Sequence, residues 1–143
     1  MKSFKQILIF FIYLLLLNGC SSIKEELIPT YNKGGYKMKI VKSNIKASYL
    51  KISGKVSDVM NNKPLDNVYL SIGCNKIKNS QNGEYSILIK NDFKDNYLFV
   101  EVVSIGYKTI QTKFINITNE SEIKIDFYLT EDDRPLINCE GIN

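Results

Sequence analysis

Lys51-Ile52-Ser53-Gly54-Lys55-Val56-Ser57-Asp58 decides how the chain folds. Ile52, Gly54 and Val56 fall on one side of an extended backbone, and Lys51, Ser53 and Lys55 on the other. That period of two marks a half-buried strand. Toward the C-terminus, Asn61-Asn62-Lys63-Pro64 supplies turn chemistry, and Asn67 to Gly73 places Val68, Leu70 and Ile72 inward. Gln81-Asn82-Gly83 reads as a hairpin signal, because Asn and Gly accept positive φ at little cost. Tyr85, Ile87 and Ile89 alternate beyond it. Tyr97 to Ile105 is more continuously apolar, which predicts a mid-sheet strand covered on both faces. Tyr107 to Thr118 and Glu122 to Thr130 are expected as a final pair, the last with Ile123, Ile125, Phe127 and Leu129 on one face. Strand spacing of about 8–12 residues with no helical period predicts an all-β sandwich over residues 50–131. Residues 132–143 read as a C-terminal tail.

Upstream of this domain the pattern changes twice. Residues 1–19 begin with Lys2 and Lys5, followed by eleven apolar or aromatic residues from Ile7 to Leu17. A transmembrane helix needs about 20 apolar residues, so this run fits the h-region of a signal peptide instead. Residues 20–49 read as a basic tether. Between Tyr31 and Lys55 stand seven lysines (33, 37, 39, 42, 46, 51 and 55) and no acid, with Gly34-Gly35 adding flexibility. Beside a lipid anchor such a stretch suits anionic head groups, but a solvated linker in a Lys-, Asn- and Ile-rich chain is the favoured reading. Tyr31, Tyr36 and Tyr49 in this segment either stack on sugars or pack on the domain as an extra strand.

Leu17-Asn18-Gly19-Cys20 resembles the lipobox of bacterial lipoproteins, with Leu17, Gly19 and Cys20 matching and Asn18 bulkier than usual. The resemblance implies a diacylglyceryl thioether on Cys20, cleavage before it, and an added acyl chain such as palmitate on the new terminus. Several acyl chains at about 0.8 kcal/mol per buried CH₂ make a stable membrane anchor. Lys24-Glu25-Glu26 is similar to a short signal that directs Gram-negative lipoproteins to the outer face of the outer membrane, and it reads equally as a solvated charge cluster of the linker. The expected location is the outer membrane, with the periplasmic or surface-facing side left open.

Four further pieces, in order, resemble carboxypeptidase regulatory-like domains. They are Ile52 to Asp58, Pro64-Leu65-Asp66-Asn67-Val68, Asn82-Gly83-Glu84-Tyr85, and Gly106-Tyr107-Lys108-Thr109. Asn79-Ser80-Gln81 departs from the Thr-Asp pair that members carry before the Asn-Gly turn. The resemblance implies a transthyretin-like Greek-key sandwich of about seven strands, and a non-enzymatic accessory role with an envelope protein partner met in trans at a sheet edge. A small surface glycan-binding or adhesion lipoprotein is the alternative, with Tyr69 and Tyr128 as solvent-facing aromatics. Gly54 and Gly106 are expected where close approach or unusual φ is needed. Pro64 is expected to preset a turn, and Tyr107 to bury its ring while its hydroxyl finds a partner.

Composition narrows the chemistry. The 143 residues contain no His and no Trp, which excludes Ser-His-Asp and Cys-His catalysis and every His-ligated metal. Transthyretin-related hydrolases rely on His, so their activity is excluded too. The net charge is +4, and removing Lys2 and Lys5 with the signal lowers it to +2, which gives no argument for a nucleic-acid partner. No catalytic residue, cofactor or metal is expected. Asp92, Asp95 and Asn96, and likewise Glu131-Asp132-Asp133, lack the spacing of a calcium loop. Cys74 and Cys139 form a candidate disulfide worth about 4 kcal/mol in the chain-entropy model, against a reading of Cys74 as a buried free thiol.

Overall fold

The computed structural model describes residues 25–41, 48–90, 96–117 and 122–134. The signal segment, Cys20, Asp92, Asp95 and Cys139 lie outside the described residues. Eleven strands are present among them: β1 (Ile28–Pro29), β2 (Gly35–Val41), β3 (Tyr49–Asp58), β4 (Tyr69–Ile72), β5 (Asn75–Lys78), β6 (Glu84–Lys90), β7 (Tyr97–Leu98), β8 (Val100–Val103), β9 (Ile110–Gln111), β10 (Ile115–Asn116) and β11 (Glu122–Leu129). Seven of these have four or more residues and the other four have two. The chain is an all-β sandwich. One sheet has the order β1-β2-β11-β3-β6, a second β5-β4-β8-β9, and β10 pairs with β7 as a two-stranded ribbon.

Alternation builds the core. Leu50, Ile52 and Val56 of β3 and Ile123, Ile125, Phe127 and Leu129 of β11 are fully buried, and meet Leu70, Ile72, Val100 and Val102 of the second sheet in one cluster. Each such aliphatic side chain contributes about 1.5–3 kcal/mol by leaving water. Phe127 sits centrally, with Tyr36 and Tyr85 ring centroids at 6.1 and 6.3 Å.

The structure differs from the sequence expectations at four places. Residues 28–41, read as part of a tether, form β1 and β2 of the first sheet, so that sheet begins well before residue 50. Tyr36, Met38 and Ile40 alternate with lysines there, and the buried Tyr36 packs as an extra strand would place it. The turn at Gln81–Gly83 does not join paired strands; it carries the chain from β5 in one sheet to β6 in the other. The tight hairpin is instead at Gly73-Cys74, between paired Ile72 and Asn75, with Gly73 at φ 57. That is the sign of φ and the residue type that a type II′ turn takes at its first central position.

The segment after Tyr97 is central, since β8 lies between β4 and β9, but it is covered on one face only. Tyr97, Val103 and Ile105 are exposed, the last to 93%. The expected final pair also does not form. β11 lies antiparallel to β2 and parallel to β3, while Ile110–Asn116 pairs with β8 and β7.

Candidate functional site

The β6 edge is built from its turn upward. Gly83 (φ 73) closes the turn, with Ser80 N–H donating to the Glu84 carbonyl at 2.8 Å and Gly83 N–H to the Ser80 carbonyl at 3.1 Å. A Cβ on Gly83 would lie 2.5 Å from the Val56 carbonyl oxygen, so only glycine fits. Tyr85 then turns inward, and its hydroxyl donates to the Ile125 carbonyl at 2.7 Å. These contacts fix β6 in antiparallel register with β3, from Lys55↔Glu84 to Tyr49↔Lys90.

On its other side, β6 meets no strand among the described residues. Natural sheets guard such edges with charge, proline, bulges or brevity. Here β1 and β9 have two residues each, β5 is guarded by Lys76 and Lys78, and the half of β2 that β1 leaves open carries Lys37 and Lys39. β6 runs seven residues, and its five central positions, Tyr85 to Ile89, carry no charge. Ser86 and Leu88 face outward, and Leu88 is 58% exposed.

Two groups of exposed and half-buried aromatics bear on sugar stacking. Tyr69 is on β4 and Tyr128 on β11, so they stand on different sheets and form no shared surface. Lys37 Nζ lies 5.3 Å from the Tyr128 ring centroid, and Lys78 Nζ 5.8 Å from that of Tyr69. Sequence reasoning missed a second group. Tyr97 pairs with Asn116, and one step along the same ribbon face Phe99 meets Phe114 edge-on, at 5.8 Å and 90°. The Asn116 amide donates to the Tyr97 hydroxyl at 3.5 Å. Aromatics at i and i+2 of a strand were the available signal.

The remaining candidates are dispersed. Cys74 is free and exposed in the hairpin turn, which removes the buried-thiol reading. No group of three metal-ligating side chains converges among the described residues. Asp132 pairs with Arg134 at 2.5 Å and Asp133 with Lys108 at 2.8 Å. The hydrogen bond from Arg134 holds the Asp132 carboxyl down to about 2. A cleft of about 660 Å³ lined by Tyr31, Asn32, Lys33, Lys108, Thr109 and Arg134 therefore keeps little net charge, since two of its three cations already face carboxylates.

Asp58, the acid of the Gly-x-Val-x-Asp piece, is structural. It accepts from the Met60 and Asn61 N–H groups at 2.7 and 3.1 Å and from the Tyr107 hydroxyl at 3.2 Å. Burial works to raise its pKa. The two backbone donors, the Tyr107 hydroxyl and the charge of Lys63 outweigh that and lower it. Gly106 takes φ 81 beside Tyr107, and Gly54 allows the close approach of β11.

No protein-family model matches the chain, and no curated protein does. Among solved structures the chain is similar to a 3-chlorocatechol 1,2-dioxygenase from Rhodococcus opacus 1CP, at 13% identity and a TM-score of 0.44, over 65% of this chain. The likeness spans 64% of that protein, just under two thirds of its length, and carries no argument about activity.

Proposed function

We propose that the chain is a non-enzymatic lipoprotein of the Gram-negative outer membrane, whose carboxypeptidase regulatory-like sandwich binds an envelope protein partner in trans. The observation that carries this reading is the β6 edge: seven residues long, uncharged through its centre, with Leu88 turned outward. A partner strand added there would take main-chain hydrogen bonds from the central part of the strand, while Leu88 and Ser86 supply side-chain selectivity. The lipobox at Leu17 to Cys20 supports the anchor. The lack of His supports a binding role over hydrolysis, because neither a serine nor a thiol nucleophile has an imidazole base available.

The test is a photo-cross-linking amino acid placed at Leu88, and separately at Ser71 on the other sheet, in intact cells. A defined protein adduct from position 88, absent from position 71 and lost in a Ser86→Lys background, is the expected result. Equal adducts from both positions would sink the edge reading. The anchor is tested by labelled fatty acid, which should enter the wild-type chain and be absent from Cys20→Ala.

A second reading, a small glycan-binding lipoprotein, is favoured by the Tyr97–Phe99–Phe114 stripe. The Phe99 and Phe114 rings are perpendicular rather than coplanar, which suits a flat sugar face less well.

A further inference from the structure

The outer face of the five-stranded sheet gathers the positive charge of the domain. Lys37 and Lys39 on β2, Lys124 on β11, Lys51 and Lys55 on β3, and Lys90 on β6 all alternate away from the core. Glu84, Glu122 and Asp126 are the strand acids of the same face, and Glu25 reaches it through Lys39, making six bases against four. The described residues hold thirteen Lys and Arg and eleven Asp and Glu in all, so the rest of the domain, seven against seven, carries no net charge. Ion pairs occupy part of this face: Lys51 with Glu122 at 2.9 Å, Lys39 with Glu25 at 3.5 Å and Lys124 with Asp126 at 3.6 Å. Lys37 and Lys55 have no carboxylate partner among the described residues. The outer face of the other sheet is mixed, with Tyr69, Ser71, Lys76, Lys78, Glu101 and Val103.

Where the chain enters this sheet narrows the choice of partner. Glu25, whose carboxylate meets Lys39, is five residues beyond Cys20. Five extended residues reach at most about 18 Å, while four gaps between five strands at about 4.8 Å span roughly 19 Å. An acylated Cys20 therefore holds the lysine face within one sheet-width of the bilayer. Lysines suit that setting, because their long stems reach outward and keep the ammonium at the head-group level.

We propose that this lysine face lies against anionic lipid head groups and orients the sandwich on its membrane, with the four-stranded sheet turned away and the β6 edge exposed at the rim. The proposal rests on the reading of Cys20 as the anchor. Lipid anchoring alone leaves the domain free to tumble on its tether; the lysine face would give it one orientation, and with it a defined presentation of β6.

The experiment is lysine footprinting of the full lipidated chain bound to vesicles of phosphatidylcholine alone or rich in phosphatidylglycerol. A small acetylating reagent is used, with site-by-site mass spectrometry. On the anionic vesicles Lys37, Lys39, Lys51, Lys55 and Lys124 should react several-fold more slowly relative to Lys76 and Lys78. The protection should vanish on neutral vesicles and in roughly 1 M salt, where the screening length is about 3 Å. Equal protection of Lys76 and Lys78, or no selective protection on anionic vesicles that the chain has bound, would overturn the proposal. So would stronger protection of the same lysines by a soluble acidic polysaccharide. Flotation with neutral vesicles reads the anchor separately. A chain that fails to float has lost the anchor reading, and the anionic vesicles still decide the lysine face.

Discussion

The Tyr85 hydroxyl donates to the Ile125 carbonyl at 2.7 Å, passing across β3 at Gly54. β6 and β11 are not neighbours, since β3 separates them. The parallel ladder between β3 and β11 pairs Ser53 with Lys124 and Val56 with Phe127, and is interrupted between those two pairs. In that gap the Lys55 N–H donates to Asp126 Oδ1 at 3.0 Å, and the Ile125 carbonyl accepts from Tyr85. Side chains thus replace the missing ladder bonds. Burial, and secondarily the charge of Asp126, push the Tyr85 hydroxyl well above its ordinary pKa, so it remains a donor at all working pH values.

Gly54→Ala should therefore be among the most damaging small substitutions in the domain. The added Cβ would stand 1.8 Å from the Ile125 oxygen, a backbone atom of the central strand. A loss of about 3 kcal/mol is expected, at the upper end for overpacking. Tyr85→Phe keeps the ring and orphans the carbonyl, and should cost about 1–3 kcal/mol. Urea unfolding of both variants measures this. A Gly54→Ala protein as stable as wild type would mean that β11 can move away from β3 at this level.

Asp58 sets an acid limit on stability. Its folded-state pKa lies below that of the unfolded chain, about 3.9. The stabilisation it supplies is therefore complete at neutral pH and is lost as pH falls through the folded value. Asp58→Asn should lower the urea midpoint at pH 7 and flatten the acid limb below about pH 4. Tyr107→Phe, which removes one of the three donors, should steepen neither limb and lower the midpoint slightly. Superimposable acid limbs for wild type and Asp58→Asn would remove Asp58 from this role.

Much of this fold is legible in local sequence, for a definite reason. In β3, β4, β6 and β11 every other residue is apolar, and a period of two requires one dry face and one wet one. The same signal is present in Tyr36-Lys37-Met38-Lys39-Ile40, where the lysines mask it, because the charge belongs to one face of the strand and not to the whole segment. Pairing is less legible. Gln81-Asn82-Gly83 specifies a chain reversal but not which sheet receives the next strand, and the parallel contact of β3 with β11 joins positions 71 residues apart, such as Ser53 and Lys124. The β6 edge could not be seen from residues alone, because a strand becomes an edge only when nothing else pairs with it.

Asn79 shows how one buried amide side chain can hold the local structure. Its Oδ1 accepts from the Val68 N–H at 2.9 Å, its Nδ2 donates to the Leu65 carbonyl, and its own N–H donates to the Val68 carbonyl at 3.0 Å. The side chain is buried, so Asn79→Ala leaves an N–H and a carbonyl unsatisfied away from water, at about 2–3 kcal/mol. Asn79→Asp should be as costly, because a carboxylate can still accept from Val68 but would repel the Leu65 oxygen. Thermal unfolding of the two variants checks this. A mild Ala and a severe Asp would show that water replaces the amide.

Phe114 and Phe127 separate a surface role from a core role. Phe127 is fully buried between Tyr36 and Tyr85, and Phe127→Ala should cost about 3–5 kcal/mol through lost burial and the cavity left behind. Phe114 is 73% exposed and touches Phe99 edge-on, so Phe114→Ala should lose only about 1 kcal/mol. That difference makes Phe114→Ala a clean probe of the aromatic stripe, since the fold survives its removal. Retention of the chain on immobilised cell-surface polysaccharide should be the same for wild type and Phe114→Ala if protein binding at β6 is the function. Retention that is strong in wild type and abolished in Phe114→Ala, with Ser86→Lys unaffected, would transfer the binding role from the β6 edge to the Tyr97–Phe99–Phe114 stripe.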